Sequence, residues 1–211
     1  VSQYEIKPMS GGLVKHAIYF ILKDPNDKKS SFWNNSTYRF AWGEGNPRLD
    51  LPSNVGIRIQ GNAVLGRSIH YAPNGVATTD DKTRLGLKFH EKPPKFELKN
   101  HIMEKFDINI PAHNDNFKVE INEIIDEPRA LLAIEAHMHL RGRRAQFIIR
   151  GPDKKELKVI DVNPFVPMFN YIYELEKPVY IEPGSKIICK GWYEKREKNV
   201  INPNPSKVVT W

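Results

Sequence analysis

The residues best suited to chemistry in this sequence are two histidines separated by one residue, in His137-Met138-His139. Side chains at i and i+2 on a β-strand lie on the same face, so both imidazoles could converge on one cation while Met138 points towards the core. Two nitrogens leave a transition metal under-coordinated, so further ligands would have to come from distant sequence or from water. The tripeptide is also compatible with two solvated histidines on a polar sheet face, and alone it leaves both interpretations open.

A cupin-type site is an alternative, because it also places a His-x-His tripeptide on a strand of a β-barrel. That site expects a glutamate shortly after the second histidine. This chain instead carries Arg143 and Arg144 in that region, and their positive charges would repel a metal cation. Charge therefore argues against a cupin.

Short strands must position these histidines, because apolar residues almost nowhere recur at helical spacing. Phe117, Val119 and Ile121 alternate with polar residues, which is typical of a half-buried strand. Sixteen prolines and 13 glycines mark turns between such stretches, which favours an all-β fold of the β-sandwich or jelly-roll type. The other predicted strands are Val14–Leu22, Gly56–Gln60, Ala63–Tyr71, Thr83–Phe89, Phe106–Ile110, Leu131–Leu140, Ala145–Arg150, Lys155–Val162, Ile172–Leu175 and Lys186–Tyr193.

A boundary between two domains is predicted where two adjacent prolines, Pro93 and Pro94, break any sheet ladder and stiffen the chain. We expect two tandem antiparallel β-sandwich domains, one over residues 1–92 and one over residues 101–211, with a Pro-rich linker over residues 93–100. The first residues resemble the interior of a strand, so we expect the N-terminal domain to be incomplete at its start.

Composition excludes several classes of protein. With 40% hydrophobic and 27% charged residues, the chain is neither disordered nor collagen-like. The longest nearly unbroken apolar stretch, Ala17 to Leu22, is too short for a membrane-spanning helix. The net charge of +7 comes from scattered residues without a nucleic-acid-binding motif, so no nucleic-acid partner is expected. The single cysteine, Cys189, cannot form an intrachain disulfide and is predicted to be a buried, inert thiol.

Longer segments, taken in order, resemble the copper type II, ascorbate-dependent monooxygenases, the family of peptidylglycine and dopamine hydroxylases, and its bacterial members in particular. Matching segments cover most of residues 12–211. In the second half they are Ile108–Ala112, Ala136–Gly142, Asn202–Ser206 and Val208–Trp211, and in the first half Val14–Ala17, Leu51–Gly56, Gly61–Gly75 and Asp80–Phe89.

This resemblance implies two copper sites. His137 and His139 fall on two ligands of the second-domain copper, where oxygen binds and the catalytic step takes place. His16 and His70 fall on two ligands of the first-domain copper, which stores an electron. The family uses ascorbate as reductant and hydroxylates a C–H bond of a small-molecule or peptide substrate with O2 in the cleft between the domains. It also implies a periplasmic or secreted protein whose signal peptide has been removed.

Two departures from the family pattern bear on activity. Lys15 stands where the family has the first histidine of a pair, and an ammonium is no ligand until it loses its proton. The family's methionine ligand lies a few residues past the position of Trp211, where the sequence stops. Either the second domain is cut short there, which we expect, or its copper site has two protein ligands. The alternative function is a catalytically degenerate member that acts as a binding or structural subunit of an extracytoplasmic assembly.

Overall fold

The structure is a computed structural model and describes residues 1–8, 13–24, 26–27, 36–43, 48–72, 75, 77, 81–167, 171–199 and 202–210. Within these ranges the chain forms strands, turns and irregular segments but no helix, and all strand pairings except one are antiparallel. The predicted all-β class is therefore confirmed. No helix that is long and apolar enough to cross a membrane is found in the described ranges.

The strands are numbered in chain order. The first eight are β1 (Gln3–Lys7), β2 (Val14–Leu22), β3 (Ser36–Gly43), β4 (Arg48–Asp50), β5 (Val55–Gly56), β6 (Leu65–Tyr71), β7 (Arg84–Lys88) and β8 (Phe96–Glu97). The next eight are β9 (Asn109–Ile110), β10 (Phe117–Ile124), β11 (Arg129–Glu135), β12 (Gly142–Arg150), β13 (Glu156–Val162), β14 (Ile172–Ile181), β15 (Lys186–Tyr193) and β16 (Val209–Thr210).

The chain divides into two compact units between His101 and Ile102, with a short segment at Tyr171 grouped with the first unit. The first unit contains two three-stranded sheets, in the orders β4-β1-β7 and β3-β2-β6. Tyr4 of β1 and Phe40 of β3 meet edge to face with ring centroids 5.0 Å apart, and the Tyr4 hydroxyl donates a hydrogen bond to the Ala41 carbonyl. These contacts pack the two sheets against each other, as in a sandwich.

The second unit contains a four-stranded sheet in the order β10-β15-β12-β13 and two-stranded pairings of β11 with β14 and of β16 with β9. Its largest core cluster joins Ile149 and Ile187 of the four-stranded sheet to Ile181 of β14. A second cluster contains Met138, Ala145 and Phe165. Burial of these apolar side chains between sheets is the main term that stabilises the unit.

Several predicted strands agree closely with the structure. Val14–Leu22 and Lys186–Tyr193 have the observed bounds at both ends, and Phe117–Ile124 continues the alternation seen in the sequence. The strand predicted over Leu131–Leu140 is wrong beyond Glu135, because the backbone after β11 is irregular over residues 136–139. The strands predicted over Gly56–Gln60 and Phe106–Ile110 are wrong except at Gly56 and at Asn109–Ile110, and strands β3, β4 and β8 were not predicted.

Part of the segment predicted as a linker pairs with the first unit. Strand β8 runs parallel to β5, and the N–H of Leu98 donates to the Gly56 carbonyl at 2.8 Å. A Cβ on Gly56 would lie 2.7 Å from the Pro94 ring and 3.1 Å from the His90 ring, so only glycine allows these rings to pack on the strand. Pro94 therefore lies against the sheet.

Candidate functional site

His16 and His70 are brought together by a strand pairing in the first unit. Strands β2 and β6 are antiparallel neighbours, and His16 is directly opposite His70 in their register. Directly opposed residues have their side chains on the same face of a sheet. The ring centroids lie 4.9 Å apart with an interplanar angle of 83°. The structure thus places two imidazoles, 54 positions apart in sequence (70 minus 16), side by side on one sheet face.

Lys15 lies at an irregularity of this pairing. Val14 is opposite Tyr71 and His16 is opposite His70, so Lys15 is an extra residue on β2, as in a β-bulge. Burial lowers the pKa of Lys15. Partial burial of the His70 ring and, secondly, the charge of Lys15 lower the pKa of His70. Both effects favour the neutral imidazole of His70 over the imidazolium.

His137 and His139 lie just past the end of β11, on the segment before β12. Both side chains are exposed, whereas Met138 between them is only 6% exposed and belongs to a core cluster. The alternation expected of a strand therefore persists here although the segment has no strand pairing. The ring centroids of His137 and His139 lie 5.4 Å apart with an interplanar angle of 84°.

Two glycines make room for the side chain that anchors this segment. A Cβ on Gly142 would lie 2.6 Å from the Met138 Cβ, and a Cβ on Gly191 would lie 3.2 Å from the Met138 Cε. The N–H of Gly142 also donates a 2.7 Å hydrogen bond to the His139 carbonyl, which closes the turn into β12. Met138 is thus held over β12 and β15 while its two neighbours point outwards.

Both pairs have a separation that suits one shared metal ion. With metal–nitrogen bonds of about 2.0–2.1 Å, the ring centroids of two imidazoles on one tetrahedral ion lie about 5 Å apart. The measured 4.9 and 5.4 Å agree with this value. Copper accepts imidazole ligands readily, so the residues present fit a two-imidazole copper site in each unit. Over the described part of the chain, no group of three or more His, Cys, Asp or Glu side chains is arranged to hold a metal ion.

Arg141 and Lys195 bind backbone carbonyls of the C-terminal segment. Arg141 Nη2 donates a 2.8 Å hydrogen bond to the Pro203 carbonyl. The Lys195 side chain is fully buried, and its ammonium donates to the Asn204 carbonyl at 3.1 Å and to the Lys207 carbonyl. Burial, followed by repulsion from Arg141, lowers the pKa of Lys195. These bonds hold residues 203–207 on the second unit.

A second irregularity follows the histidines on β12. Gly142 is opposite Tyr193 and Arg144 is opposite Trp192, so Arg143 is the extra residue. Arg143 Nη1 donates a 2.6 Å hydrogen bond to the Glu194 carboxylate, which also accepts one from Arg196. The two guanidiniums lower the pKa of Glu194, with the Arg196 hydrogen bond as the largest cause.

The remaining histidines and sulfur side chains have other surroundings. The His90 ring bonds to the Val55 carbonyl at 2.8 Å and is half-buried. His113 is exposed and lies 3.4 Å from the Glu197 carboxylate. Cys189 donates to the Met103 sulfur at 3.8 Å in the core. Met9, Met168 and Trp211 lie outside the described residues.

The buried Lys195 and the residues around Glu194 were missed by the sequence analysis. They lie in the polar run Glu194-Lys195-Arg196-Glu197-Lys198, which reads as a solvated surface. The alternation of residues along β15 predicts which side chains are buried as far as Tyr193. It does not extend to Lys195, so it does not predict that Lys195 is buried.

None of the curated proteins compared with the chain matches it. A family model described as "Copper type II ascorbate-dependent monooxygenase, C-terminal domain" matches residues 98–203, which is half of the chain. The matched range contains His137 and His139. It ends at Pro203, whose carbonyl accepts a hydrogen bond from Arg141. On this match, the chain belongs to the copper type II ascorbate-dependent monooxygenase family.

Proposed function

We propose that the protein is a copper-dependent monooxygenase that hydroxylates a substrate C–H bond with O2 and takes its electrons from ascorbate. The overall reaction places one oxygen atom in the C–H bond and reduces the other to water with two electrons and two protons. Membership of a family named for copper, ascorbate and monooxygenation supports this proposal. The observation that carries it is the pair of exposed imidazoles at His137 and His139, inside the matched range.

His137 and His139 would hold the copper of the second unit, and His16 and His70 would hold the copper of the first. Copper, when bound, would supply the one-electron chemistry that these side chains cannot perform. The chain's own contribution is to keep each imidazole pair at the spacing of one ion. The β2–β6 register does this for the first pair, and the buried Met138 does it for the second.

Copper titration of the metal-free protein, followed by electron paramagnetic resonance, tests the assignment. We expect two cupric centres in the wild-type protein. The double change His137→Ala and His139→Ala should remove the second-unit signal and leave the first. As a matched control, His113→Asn removes an exposed histidine of the same unit and should leave both signals. A spectrum that is unaltered in the double variant would refute the assignment.

A second function is favoured by the position of Lys15. A lysine at the bulge beside His16 adds positive charge next to the first imidazole pair, and positive charge opposes binding of a cation. In this alternative the protein is a catalytically degenerate member that serves as a binding or structural subunit of a larger assembly. The change Lys15→His should then create or tighten copper binding at the first pair, whereas the wild-type protein should bind one copper ion or none.

For both functions we propose a location outside the cytoplasm, either in the periplasm or secreted. The family match over residues 98–203 supports this location. Fractionation of producing cells, with activity and copper content measured in each fraction, tests the location. Recovery of the mature protein in the cytoplasmic fraction would contradict it.

A further inference from the structure

A pocket of about 420 Å³ opens in the second unit beside the start of β12. Its walls combine three arginines, two asparagine amides, one carboxylate and an indole ring. They include Asn116, Arg143, Arg144, Asn163, Trp192 and Arg196. None of these residues belongs to either histidine pair, so the pocket is a separate feature of this unit.

The irregular pairing on β12 explains why two consecutive arginines line the same pocket. Neighbouring residues on a regular strand point to opposite faces of the sheet. Arg143 is the extra residue between the pairs Gly142–Tyr193 and Arg144–Trp192. A bulge of this kind redirects a side chain, and here it brings the Arg143 guanidinium to the same side as that of Arg144.

Arg144 is held rigidly in the pocket wall. Its Nε and Nη2 donate to the two carboxylate oxygens of Asp161 at 2.8 and 2.6 Å, and its guanidinium lies 4.9 Å from the centre of the Trp192 ring. A bidentate ion pair and a cation–π contact together leave this group little freedom to lose when a ligand binds. The wall therefore presents flat, preorganised surfaces.

Arg143 and Arg196 share one carboxylate behind the pocket. Glu194, whose side chain is 10% exposed, accepts hydrogen bonds from both guanidiniums. Each guanidinium has five N–H donors, and the contact with Glu194 uses only Arg143 Nη1 and Arg196 Nε. The N–H donors of Arg143 and Arg196 therefore outnumber the acceptor positions of the Glu194 carboxylate.

Guanidiniums outnumber carboxylates among the side chains that line the pocket. Asp161 accepts hydrogen bonds from both Arg144 and Lys158, and Asp115 is the one acidic residue that lines the pocket. Three guanidiniums, those of Arg143, Arg144 and Arg196, line the pocket beside the single carboxylate of Asp115, while Asp161 and Glu194 pair with them. A small anion in the pocket would accept hydrogen bonds from the N–H donors of Arg143 and Arg196 that Glu194 does not use.

We propose that this pocket binds a small planar organic anion, with its charged oxygens on the guanidiniums of Arg143 and Arg196 and its flat face along the Arg144–Trp192 wall. Two sources share this chemistry, namely the ascorbate monoanion and a carboxylate carried by a substrate. Naming ascorbate rests on the proposed function, whereas the anion site itself does not.

Isothermal titration of the metal-free protein with ascorbate, benzoate and benzamide tests this proposal. Benzamide has nearly the shape of benzoate but no charge, so we expect benzoate to bind and benzamide to bind much more weakly. Arg196→Gln should weaken anion binding by about fivefold or more, because it removes charge-assisted donors. Binding of ascorbate alone would identify the reductant as the occupant, and binding of both anions would extend the site to carboxylates.

Arg150→Gln is the matched control. Arg150 lies on the same strand as Arg143, is 43% exposed and pairs with Glu156, but it does not line the pocket. The proposal is overturned if neither anion binds at millimolar concentration, if benzoate binds and benzamide binds as tightly, or if Arg196→Gln weakens binding of the anion no more than Arg150→Gln does. Copper titration of the wild-type protein and the same variants is a separate measurement. Absence of anion binding to the wild-type protein with copper binding retained would contradict the anion site alone, and absence of copper binding would contradict the proposed function.

Discussion

Replacement of the buried Lys195 by methionine should destabilise the second unit. Methionine preserves most of the volume of the side chain but removes the ammonium that bonds to the carbonyls of Asn204 and Lys207. Hydrogen bonds from a charged donor contribute about 1.5–3 kcal/mol each, so two bonds amount to about 3–6 kcal/mol before any offset. Relief of the cost of burying the ammonium offsets part of this loss. We therefore expect Lys195→Met to lower the free energy of unfolding by about 2–4 kcal/mol.

Thermal unfolding and hydrogen exchange measure this effect. A loss of that size should lower the unfolding midpoint by about 10 °C for a unit of this length. The amides of β16, which pairs with β9 at Val209 and Thr210, should exchange faster because the segment that leads into β16 is released. Lys207→Met is the control, since it removes an exposed side chain and keeps the carbonyl that Lys195 binds. A midpoint that stays constant or rises in Lys195→Met would show that the buried ammonium costs more than its bonds contribute.

Three further changes have defined outcomes. Gly142→Ala places a Cβ 2.6 Å from that of Met138, so we expect a loss of about 2–3 kcal/mol in urea unfolding and weaker copper binding at the second pair. The hydrogen bonds from Arg144 lower the pKa of Asp161, so Asp161 should contribute stability above its unfolded pKa of about 3.9 and lose it as the pH falls through the folded pKa. Asp161→Asn should remove this part of the acid dependence. Burial raises the pKa of Cys189 to about 11, so iodoacetamide at mildly alkaline pH should modify the native thiol far more slowly than the unfolded one.

Each of these changes has a matched comparison. Gly191→Ala brings a Cβ only to 3.2 Å from the flexible end of Met138, so it should cost less than Gly142→Ala, and equal losses would contradict the packing argument. Acid unfolding curves that coincide for Asp161→Asn and wild type over the whole range would show that the ion pair contributes nothing. Equal modification rates for native and unfolded protein would mean that Cys189 is not protected by the core.

The alternation of apolar residues predicted much of the fold, and its failures have a local cause. The bounds of β2 and β15 agree with the sequence pattern because both strands alternate strongly and pack into a core. Strand β11 ends at Glu135 although the alternation continues through Met138, because alternation reports which side chains are buried and not whether the backbone has a pairing partner.

The sequence by itself determined the all-β class, the outward-facing pair His137 and His139 around a buried Met138, and the family resemblance that the match over residues 98–203 confirms. All of these depend on residue types at short spacing. Only the tertiary structure decided that His16 is opposite His70 and that Lys195 is buried. These features depend on register and bulges between strands far apart in sequence, where a shift of one residue moves a side chain to the other face of the sheet.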